Sequence, residues 1–591
     1  MGWKKIVGSI IGVGAVVGLA GAGVTYAIGS NPIFGGAMVL NYIAAFNNPP
    51  GEIKVELRKA AEAGDVAIAD DPLSGQWASY NRTASADRFS PLSQITSENA
   101  NGLKVLCTYD TGRYEAFETN MIMVEGALIG TTARDIFSIN PENCNENWRV
   151  SRDVTLFPLP GNRGVAYIDG KVIRAFNDAY LRAFDVKTGK QLWETYLGDK
   201  NRKIWFTAAP VAANGMVFFG TAGGDMKDIR GRVYGLDANT GEVKWQTFTV
   251  PMAEKDTKHA PLGKMPDEMM RASWRNAPDV PISGGGLWTS LTVDPETGYL
   301  FVPVGNPAPD FVKSLRPGSN LFTNTLLVLD TNTGNYVKHF AIMPDDWHDW
   351  DVSNPPTLVT TRAGRKIVAF QPKDGHLYGF DRDSNEQLYR KPVTKVENVE
   401  EEFKVGKEVH FCPGPVGGGE WNSAAFDPRN NLIFTGQVEW CAKVKIMSDT
   451  LSEDIPDGGP WFGAAYVDPM KAVGRRDPHD EWGGWIYASD ADSGEWAWRA
   501  RTNYPIVGAV TPTAGGIVAF GDMGGNFYVM NANDGEVLWK HDFGGGIGGG
   551  VISYAINGTQ RIAVAAGISH PVWPVWPTTG KIAVLGLGET N

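Results

Sequence analysis

Three short segments of this 591-residue chain hold side chains whose types and spacing could do chemistry. Trp288 follows three glycines, Asn306 lies 18 residues later in a Gly-Asn-Pro turn, and Asp351 closes the acidic, aromatic run DDWHDWD. An amide oxygen and a carboxylate suit a hard cation, and a flat indole ring suits stacking on a planar ligand. A carboxylate beside such a cation can also accept a proton. These segments are therefore the candidates for a functional site.

Each of these residues also has an ordinary structural explanation. Trp288 could be one more core tryptophan among the 20 in the chain, and the run around Asp351 could be a solvated acidic loop. Against these explanations, Trp288 lies outside the tryptophan repeat described next, and Asp351 has aromatic neighbours. We therefore favour a functional role for both.

The elements that position these segments are indicated by a repeated phrase: an apolar strand, Asp or Asn, a glycine turn and a closing aromatic residue. Measured between closing aromatics, neighbouring copies lie 45, 52, 49 and 41 residues apart, a spacing typical of β-propeller blades. The copies are Ile136–Trp148, Leu181–Trp193, Val233–Trp245, Leu326–Phe340, Leu377–Tyr389, Ile486–Trp498 and Phe527–Trp539.

The repeats predict an all-β fold, an eight-bladed β-propeller over residues 73–591, after an N-terminal segment 1–30 and a linker 31–72 with a short apolar helix. Seven copies give seven blades, and we interpret a degenerate copy around Ala424–Trp440 as the eighth. The final strand, Lys581–Leu587, is expected to close the ring against the first blade. The repeated Trp is interpreted as structural, because a large flat ring packs well between neighbouring sheets.

Composition excludes several classes of function. Lys plus Arg is 54 and Asp plus Glu is 66, a net charge of −12, so nucleic acid is not the main partner. With 43% hydrophobic and 20% charged residues, the chain can bury a large core. None of its four cysteines forms a CxxC pair, which excludes a c-type haem and a Cys-type zinc knuckle.

The N-terminus carries a targeting segment. Lys4 and Lys5 precede the uncharged run Ile6–Gly29, which is long enough to span a bilayer. A retained anchor in the inner membrane and a cleaved signal, with its site near Ala20-Gly21-Ala22, both fit, and the length of the run favours the anchor. With either an anchor or a cleaved signal, the rest of the chain is exported to the periplasm, since the lysines stay cytoplasmic. A second apolar stretch, Ile33–Phe46, either lies on the membrane surface or docks on the protein.

The repeated phrase with its closing Trp resembles the tryptophan-docking motif of the type I quinoprotein alcohol dehydrogenases. These enzymes are eight-bladed propellers that use pyrroloquinoline quinone (PQQ). Non-enzymatic outer-membrane assembly propellers share the repeats, so the site segments must decide. The resemblance implies that Trp288 is the floor under PQQ, that Asn306 is a calcium ligand, and that Asp351, matching the last Asp of HDxWD, is the catalytic base beside the metal. His348 is not safely equivalent, because one residue is missing between His and Trp.

The same resemblance assigns further residues. Lys373 takes the place of a family cation that reaches the quinone oxygens of PQQ. Thr207 and Arg163 match residues that contact its carboxylates. The segment Gly223-Gly224-Asp225 lies where the family has cofactor-site residues and a carboxylate ligand to calcium. One extra residue in the run that follows leaves Asp228 as a rival ligand.

The sequence differs from the family pattern at two places, and the resemblance implies two disulfides. Many relatives cap PQQ with a disulfide between adjacent cysteines, where this chain has Phe157 and Pro158, so an apolar cap replaces it or the contact is looser. Lanthanide-dependent relatives have a second Asp two positions after the base, where this chain has Ser353, which favours calcium. The resemblance implies the bridges Cys412–Cys441 and Cys107–Cys144; four buried thiols are the alternative.

The resemblance predicts PQQ- and calcium-dependent oxidation of an alcohol to an aldehyde or ketone. With no haem motif, the electrons are expected to pass to a separate acceptor, a periplasmic cytochrome c or a membrane quinone. One alternative is a sugar or cyclic polyol dehydrogenase, towards which Lys373 points. Another is a non-catalytic assembly or binding propeller, against which the joint presence of all the site residues argues. The insertion Gln246–Pro281 either walls the substrate entrance or decorates the surface.

Overall fold

A computed structural model describes most of the chain: residues 51–64, 75–154, 161–199, 204–451, 455–462, 475–476, 482–570, 572–573 and 575–588. The predicted anchor Ile6–Gly29, the apolar stretch Ile33–Phe46 and the Phe157-Pro158 cap lie outside these residues. Within the described ranges, no helix has both the length and the apolar character needed to cross a bilayer.

Eight antiparallel sheets follow one another around the ring of an eight-bladed β-propeller. The strands of blades one to four are Ile122–Val124, Ala127–Thr131, Asp135–Ile139 and Glu146–Ser151; Ala166–Ile168, Lys171–Ala175, Tyr180–Asp185 and Gln191–Tyr196; Val211–Ala213, Met216–Gly220, Arg232–Asp237 and Val243–Phe248; Thr292–Asp294, Tyr299–Pro303, Thr325–Asp330 and Tyr336–Ala341. Those of blades five to eight are Thr357–Thr360, Lys366–Phe370, His376–Asp381 and Gln387–Pro392; Ala425–Asp427, Leu432–Trp440, Trp482–Asp490 and Trp496–Thr502; Thr511–Pro512, Ile517–Gly521, Asn526–Asn531 and Val537–Asp542; Val551–Ile556, Thr559–Ala566, Lys581–Leu587 and Leu103–Asp110.

A few short elements complete the described part of the chain. A fifth strand, Lys54–Leu57, pairs with the outer strand of blade six. Two small sheets pair Ser283–Gly284 with Pro307–Ala308, and Ala442–Lys445 with both Glu408–Phe411 and Arg475–Arg476. The helices are α-helix Asp267–Ala272 and the 3-10 turns Ala100–Gly102 and Lys313–Leu315.

The repeated phrase works by joining each blade to the next. The indole N–H of Trp193 in blade two donates to the Ala238 carbonyl in blade three at 3.1 Å. Its ring lies against the Gly241 turn, where an added Cβ would come within 2.5 Å of the ring and where φ is +73°. Only glycine combines this close approach with a left-handed backbone at little cost. The structural interpretation of the repeated Trp is therefore confirmed.

Ring closure was predicted correctly in part. Lys581–Leu587 does pair with a strand from the start of the propeller, Leu103–Asp110, which becomes the outermost strand of blade eight. The interpretation of Ala424–Trp440 as a separate blade is wrong. Leu432–Trp440 pairs over nine residues with Trp482–Asp490, so both belong to blade six. The long insertion between these two strands disguised them as two repeats.

Both disulfides are present as the resemblance implied. Cys107 bonds to Cys144, and Cys412 bonds to Cys441. Because Cys107 lies in the outer strand of blade eight and Cys144 follows the third strand of blade one, the first bridge covalently joins the two blades at which the ring closes.

The insertion after Gln246 packs on the propeller. Met270 of its helix is buried in the core between blades three and four, with Met265 packed against the same cluster. The buried Trp274 donates its indole N–H to the Leu321 carbonyl at 2.8 Å. Arg275 alone of this insertion lines the cavity described below. These side chains dock the insertion on the propeller.

Candidate active site

The site residues lie in two kinds of loop. Because the strands of a blade are antiparallel, the connections that enter a blade and the turns between its second and third strands lie at the same end of each sheet. The connections contain Arg163, Thr207, Trp288 and Asp351, and the turns contain Gly223, Gly224, Asp225, Asn306 and Lys373. The alternation of strands is therefore what brings these distant positions to one end of the ring.

Three predicted cofactor residues converge on Trp288, which is half-buried. Arg163 Nη1 and Thr207 Oγ1 donate hydrogen bonds to the Trp288 carbonyl at 2.8 and 3.1 Å. Lys373 Nζ lies 5.3 Å from the centre of the indole ring, and the guanidinium carbon of Arg163 lies 4.9 Å from it. Two cations therefore flank one flat aromatic ring.

The paired glycines hold this floor against the next loop. A Cβ on Gly224 would come within 2.8 Å of the Gly286 nitrogen, and one on Gly223 within 2.7 Å of the Trp205 ring. Gly223 also has a φ of +96°, which disfavours any larger residue. Because Gly223 and Gly224 have no side chains, the segment before Asp225 can lie directly against the segment before Trp288.

Asp351 is buried and held from two sides. Its Oδ1 accepts the backbone N–H of Asn306 at 2.9 Å, and its Oδ2 lies 2.7 Å from Lys373 Nζ. A Cβ at Gly305 would come within 2.5 Å of that same Oδ1, so the turn needs glycine at this position. The result is a carboxylate with a fixed orientation.

Lys373 is a permanent cation in this arrangement. Burial by itself lowers the pKa of its ammonium, but the carboxylates of Asp351, Asp349 and Glu420 raise it by more, so the pKa lies above its usual value. A protonated lysine at this position can stabilise negative charge that develops nearby.

A cluster of carboxylates adjoins Asp351. One oxygen from each of Asp225, Asp310 and Asp349 lies within 4.8 Å of the others, a spacing that could hold a metal ion. The Asn306 amide donates to Asp310 Oδ1 at 2.9 Å, so the Gly-Asn-Pro turn contacts both this cluster and Asp351. Burial, with the charge of Asp351 second, raises the pKa of Asp225 to about 6. Like-charged groups this close favour a bound cation.

The rival ligand Asp228 faces elsewhere. It pairs with Arg230 at 3.1 Å and with Lys255 at 2.5 Å. Its charge is therefore compensated by protein cations, whereas Asp225 lies among other carboxylates. The geometry favours Asp225 as the metal ligand.

His348 has a structural environment. Its Nδ1 lies 3.0 Å from Asp346, and its ring stacks on Trp350 with centroids 4.0 Å apart and planes 12° apart. Phe403 and Phe411 complete the aromatic surroundings of the imidazole. These contacts fix the imidazole within a buried aromatic cluster.

Sequence reasoning missed four acidic residues at this site. Asp310 and Asp349 had a signal, since one ends the GNPAPD turn and the other lies in the run that yielded Asp351. Glu420 follows three glycines, a weaker signal, and Glu118 had none. Glu118 is buried and pairs with Arg163 at 2.8 Å. Its partner would otherwise be an uncompensated buried cation.

Glu420 is buried close to Lys373. Burial raises the pKa of its carboxyl to about 8, against the opposing charge of Lys373. The next residue, Trp421, has the Arg163 guanidinium carbon 4.8 Å from its ring centre. Arg163 therefore lies close to two indole rings, those of Trp288 and Trp421.

Metal-free Glu420→Gln protein is expected to gain stability over wild type as the pH rises. When folding raises the pKa of a carboxyl group, its contribution to stability is complete only at a pH below its pKa in the unfolded chain. That contribution is lost as the pH rises through the pKa in the folded protein, which is about 8 for Glu420. Glutamine has no such loss, so the difference should grow from pH 5 to about 3 to 5 kcal/mol by pH 9. Urea unfolding across this range measures it. The exposed control Glu536→Gln should run parallel to wild type; a parallel curve for Glu420→Gln would contradict the assignment.

A cavity of about 420 Å³ lies beside these loops. Its lining includes Phe311, next in sequence to Asp310, and Trp347, next to His348. Phe403 adds a third aromatic ring, and Lys313 lies 3.9 Å over the Trp347 ring. The segments that carry the acidic cluster therefore also form part of a cavity wall.

The residues present fit a planar, multiply anionic cofactor and a hard cation. Within the described chain, Arg163 Nε, Glu420 Oε1 and Asp310 Oδ2 are buried without a hydrogen-bond partner. Such atoms are costly in a folded protein unless a bound group satisfies them. A flat ring, two cations and a carboxylate cluster within one set of loops match PQQ with a metal ion.

Comparison with known proteins places this architecture in a family. The profile of the PQQ "Glucose/ethanol/alcohol dehydrogenase, beta-propeller domain" family matches residues 77–174 and 198–404, which include every predicted site residue. The profile of the outer membrane protein assembly factor BamB matches residues 483–574, which contain none of the predicted site residues. The chain belongs to the PQQ-dependent alcohol dehydrogenase family.

Individual relatives agree with this assignment. The dehydrogenase subunit of a quinone alcohol dehydrogenase from Acetobacter aceti is 28% identical, over 94% of this chain and 79% of the relative. A lanthanide-dependent methanol dehydrogenase from Methylacidiphilum fumariolicum (strain SolV) is 25% identical, over 86% and 87%. The solved quinohemoprotein alcohol dehydrogenase ADHIIG from Pseudomonas putida HK5 has the same fold, with a TM-score of 0.78 at 24% identity over 90% of this chain and 83% of the other.

Proposed function

We propose that this protein oxidises an alcohol to an aldehyde or ketone with PQQ and a hard cation bound, and that Asp351 is the general base. The observation that carries the proposal is the environment of Asp351. Its carboxylate is buried, fixed between the Asn306 backbone and Lys373, and adjacent to a carboxylate cluster of metal-binding geometry. A non-catalytic propeller has no need of such an arrangement.

The cofactors are assigned by residue chemistry. Trp288, Thr207, Arg163 and Lys373 would hold PQQ, with Gly223 and Gly224 shaping the floor. Asp225, Asn306 and Asp351 would hold the cation, for which calcium is our prediction from Ser353, although the lanthanide-dependent relative leaves a trivalent ion as the alternative. PQQ, when bound, supplies the acceptor for the hydride of the alcohol carbon.

The chain's own residues handle the proton. Each oxygen of Asp351 already accepts one hydrogen bond and retains a further lone pair, so the carboxylate can take the hydroxyl proton without losing its orientation. Lys373 keeps its positive charge throughout and offsets negative charge that develops near the Trp288 ring. Burial of both groups excludes competing water.

A dye-linked assay tests the proposal. Purified protein is given PQQ with calcium or with a lanthanide ion, and primary alcohols, secondary alcohols, sugars and cyclic polyols are compared. Turnover of simple alcohols supports the proposal. Preference for sugars or polyols would favour the alternative towards which Lys373 points. No turnover in any combination, with PQQ shown to be bound, would favour a binding propeller.

We further propose that the protein works in the periplasm, anchored to the inner membrane, and passes electrons to a cytochrome c or a membrane quinone. Its two disulfides support export, because such bridges persist in oxidising compartments.

Anchoring by Ile6–Gly29 predicts that the mature protein sediments with membranes and begins at Met1 or Gly2. Cell fractionation and N-terminal sequencing check this expectation. A mature terminus at Gly23 would show that a signal peptide had been removed instead.

A further inference from the structure

Asp310 and Asp349 belong to the carboxylate cluster beside Asp351, but the proposed function assigns the cation only to Asp225, Asn306 and Asp351. We propose that both bind the same cation as Asp225, and that the enlarged carboxylate site binds a trivalent cation in preference to a divalent one, against the calcium that Ser353 alone predicts. The inference rests on the proposed function for the presence of a cation at this centre, but it requires neither PQQ nor turnover.

The position of Asp310 is the first observation. Its side chain is fully buried, and one of its oxygens lies within 4.8 Å of oxygens on Asp225 and Asp349. Its Oδ1 accepts the Asn306 amide at 2.9 Å, but Oδ2 has no hydrogen-bond partner among the described residues. A buried carboxylate oxygen left unpaired is costly, and a cation shared with two neighbouring carboxylates removes that cost.

The backbone holds the loops that carry these ligands together. Trp461 is buried, and its N–H donates to the Asp225 carbonyl at 2.8 Å. Its own carbonyl accepts the N–H of Asp310 at 3.3 Å. One residue from a third loop thus clamps two ligand loops, so the carboxylates are brought together before any ion binds.

The charge of the site indicates which cation it suits. Asp225, Asp310, Asp349 and Asp351 carry four negative charges when ionised, and Lys373 supplies one positive charge, a net charge of −3. A trivalent ion neutralises this charge, whereas a divalent ion leaves one negative charge in a largely buried site.

Arg316 does not change this balance. It is buried nearby, and it donates to the carbonyls of Pro309, Asp310 and Asp346. Its strongest charge partner is the carboxylate of Asp346, outside the cluster, so we count these two charges against each other.

The Coulomb energy between a carboxylate and an ion is proportional to the charge of the ion. Loss of one carboxylate should therefore lower the logarithm of the affinity about one and a half times as much for a trivalent ion as for a divalent ion. The ratio of the two losses distinguishes a metal ligand from a structural residue. A group that merely supports the loops would change the affinity for both ions by the same factor or not at all.

The test uses the metal alone on full-length, chelator-treated protein. Terbium is titrated by its luminescence and calcium by calorimetry, for wild type, Asp310→Asn, Asp349→Asn and the control Asp345→Asn. Asp349 and Asp345 both have left-handed backbones, with φ of 63° and 59°, which asparagine adopts readily. Asp345 is a half-exposed carboxylate on the same loop, 3.4 Å from Lys313.

We expect Asp310→Asn and Asp349→Asn each to weaken terbium binding about 30-fold and calcium binding about tenfold, with the control within twofold. Metal-free thermal unfolding establishes that each variant is folded, and Asp310→Ser replaces Asp310→Asn if that variant is not. Unchanged affinities in both variants would overturn the inference. Equal losses for the two ions would overturn the preference for trivalent cations.

These outcomes are separable from failure of the proposed function. Protein that shows the expected terbium and calcium pattern but oxidises no alcohol with PQQ would retain the cation site and lose the enzyme proposal. Active enzyme whose Asp310→Asn and Asp349→Asn variants bind both ions as wild type does would overturn this inference alone.

Discussion

Asp351→Asn protein is expected to lose about 10² to 10⁴-fold in kcat while keeping its PQQ. An amide has nearly the shape of the carboxylate, and its oxygen can still accept the Asn306 N–H and face a cation. It cannot accept the alcohol proton at neutral pH. Lys373 retains the neighbouring carboxyl groups of Asp349 and Glu420, so the fold should survive the substitution.

Turnover per bound PQQ, with PQQ measured by its absorbance, separates base catalysis from a structural role. The control Asp345→Asn, on the same loop but half-exposed, should keep its kcat. If Asp351 were only part of an acidic loop, its variant would lose stability and keep its turnover per folded molecule. A kcat within about threefold of wild type would remove Asp351 as the base and reopen the claim that this propeller is an enzyme.

The fold was predictable because the residues that make its stabilising contacts occur in a short repeated sequence motif. Each Trp that docks on the next blade, as Trp193 does on Gly241, recurs at a fixed place in the phrase. The number of blades was right but the eighth was misplaced. Its outer strand, Leu103–Asp110, comes from the other end of the propeller, and no local pattern shows such a pairing.

Part of the site was predictable because its residues lie in local sequence motifs. The residues that were missed are recognisable only from contacts between distant loops. Asn306, Asp351 and Lys373 lie in short loops whose sequences carry the resemblance, and the structure brings Asn306 and Lys373 within hydrogen-bonding distance of Asp351. Glu118 has no such turn, and its importance appears only when its contact with Arg163 is seen. Burial and charge pairing across loops are tertiary properties.

The choice between Asp225 and Asp228 shows the limit most clearly. Spacing in the sequence allowed either residue to be the ligand, because the loop has one residue more than the common pattern. The charge partners favour Asp225: Asp228 pairs with Arg230 and Lys255, while Asp225 lies beside Asp310 and Asp349. A buried carboxylate already paired with two cations has little to gain from a metal.

PQQ is expected to bind chelator-treated protein at least about 100-fold more weakly than protein resupplied with calcium or a lanthanide ion. Without a cation, the cluster around Asp225 presents like charge to an anionic cofactor in a site of low effective dielectric. With a cation, that repulsion becomes attraction, while Trp288 and Arg163 offer their contacts in either state. Titrating PQQ with and without the ion measures the difference, and equal affinities would remove the metal assignment.

Two variants identify the carboxylate responsible for this dependence. Asp225→Ala should weaken the effect of added cation on PQQ affinity, so that at least about tenfold more ion is needed, because it removes one of several carboxylates from the cluster. Asp228→Ala should keep the effect, even if the unpaired Arg230 and Lys255 lower the thermal stability. The reverse result, with cation dependence unchanged in Asp225→Ala and weakened in Asp228→Ala, would make Asp228 the ligand. It would also mean that the loop rearranges when the ion binds, since Asp228 would have to leave two cations to reach it.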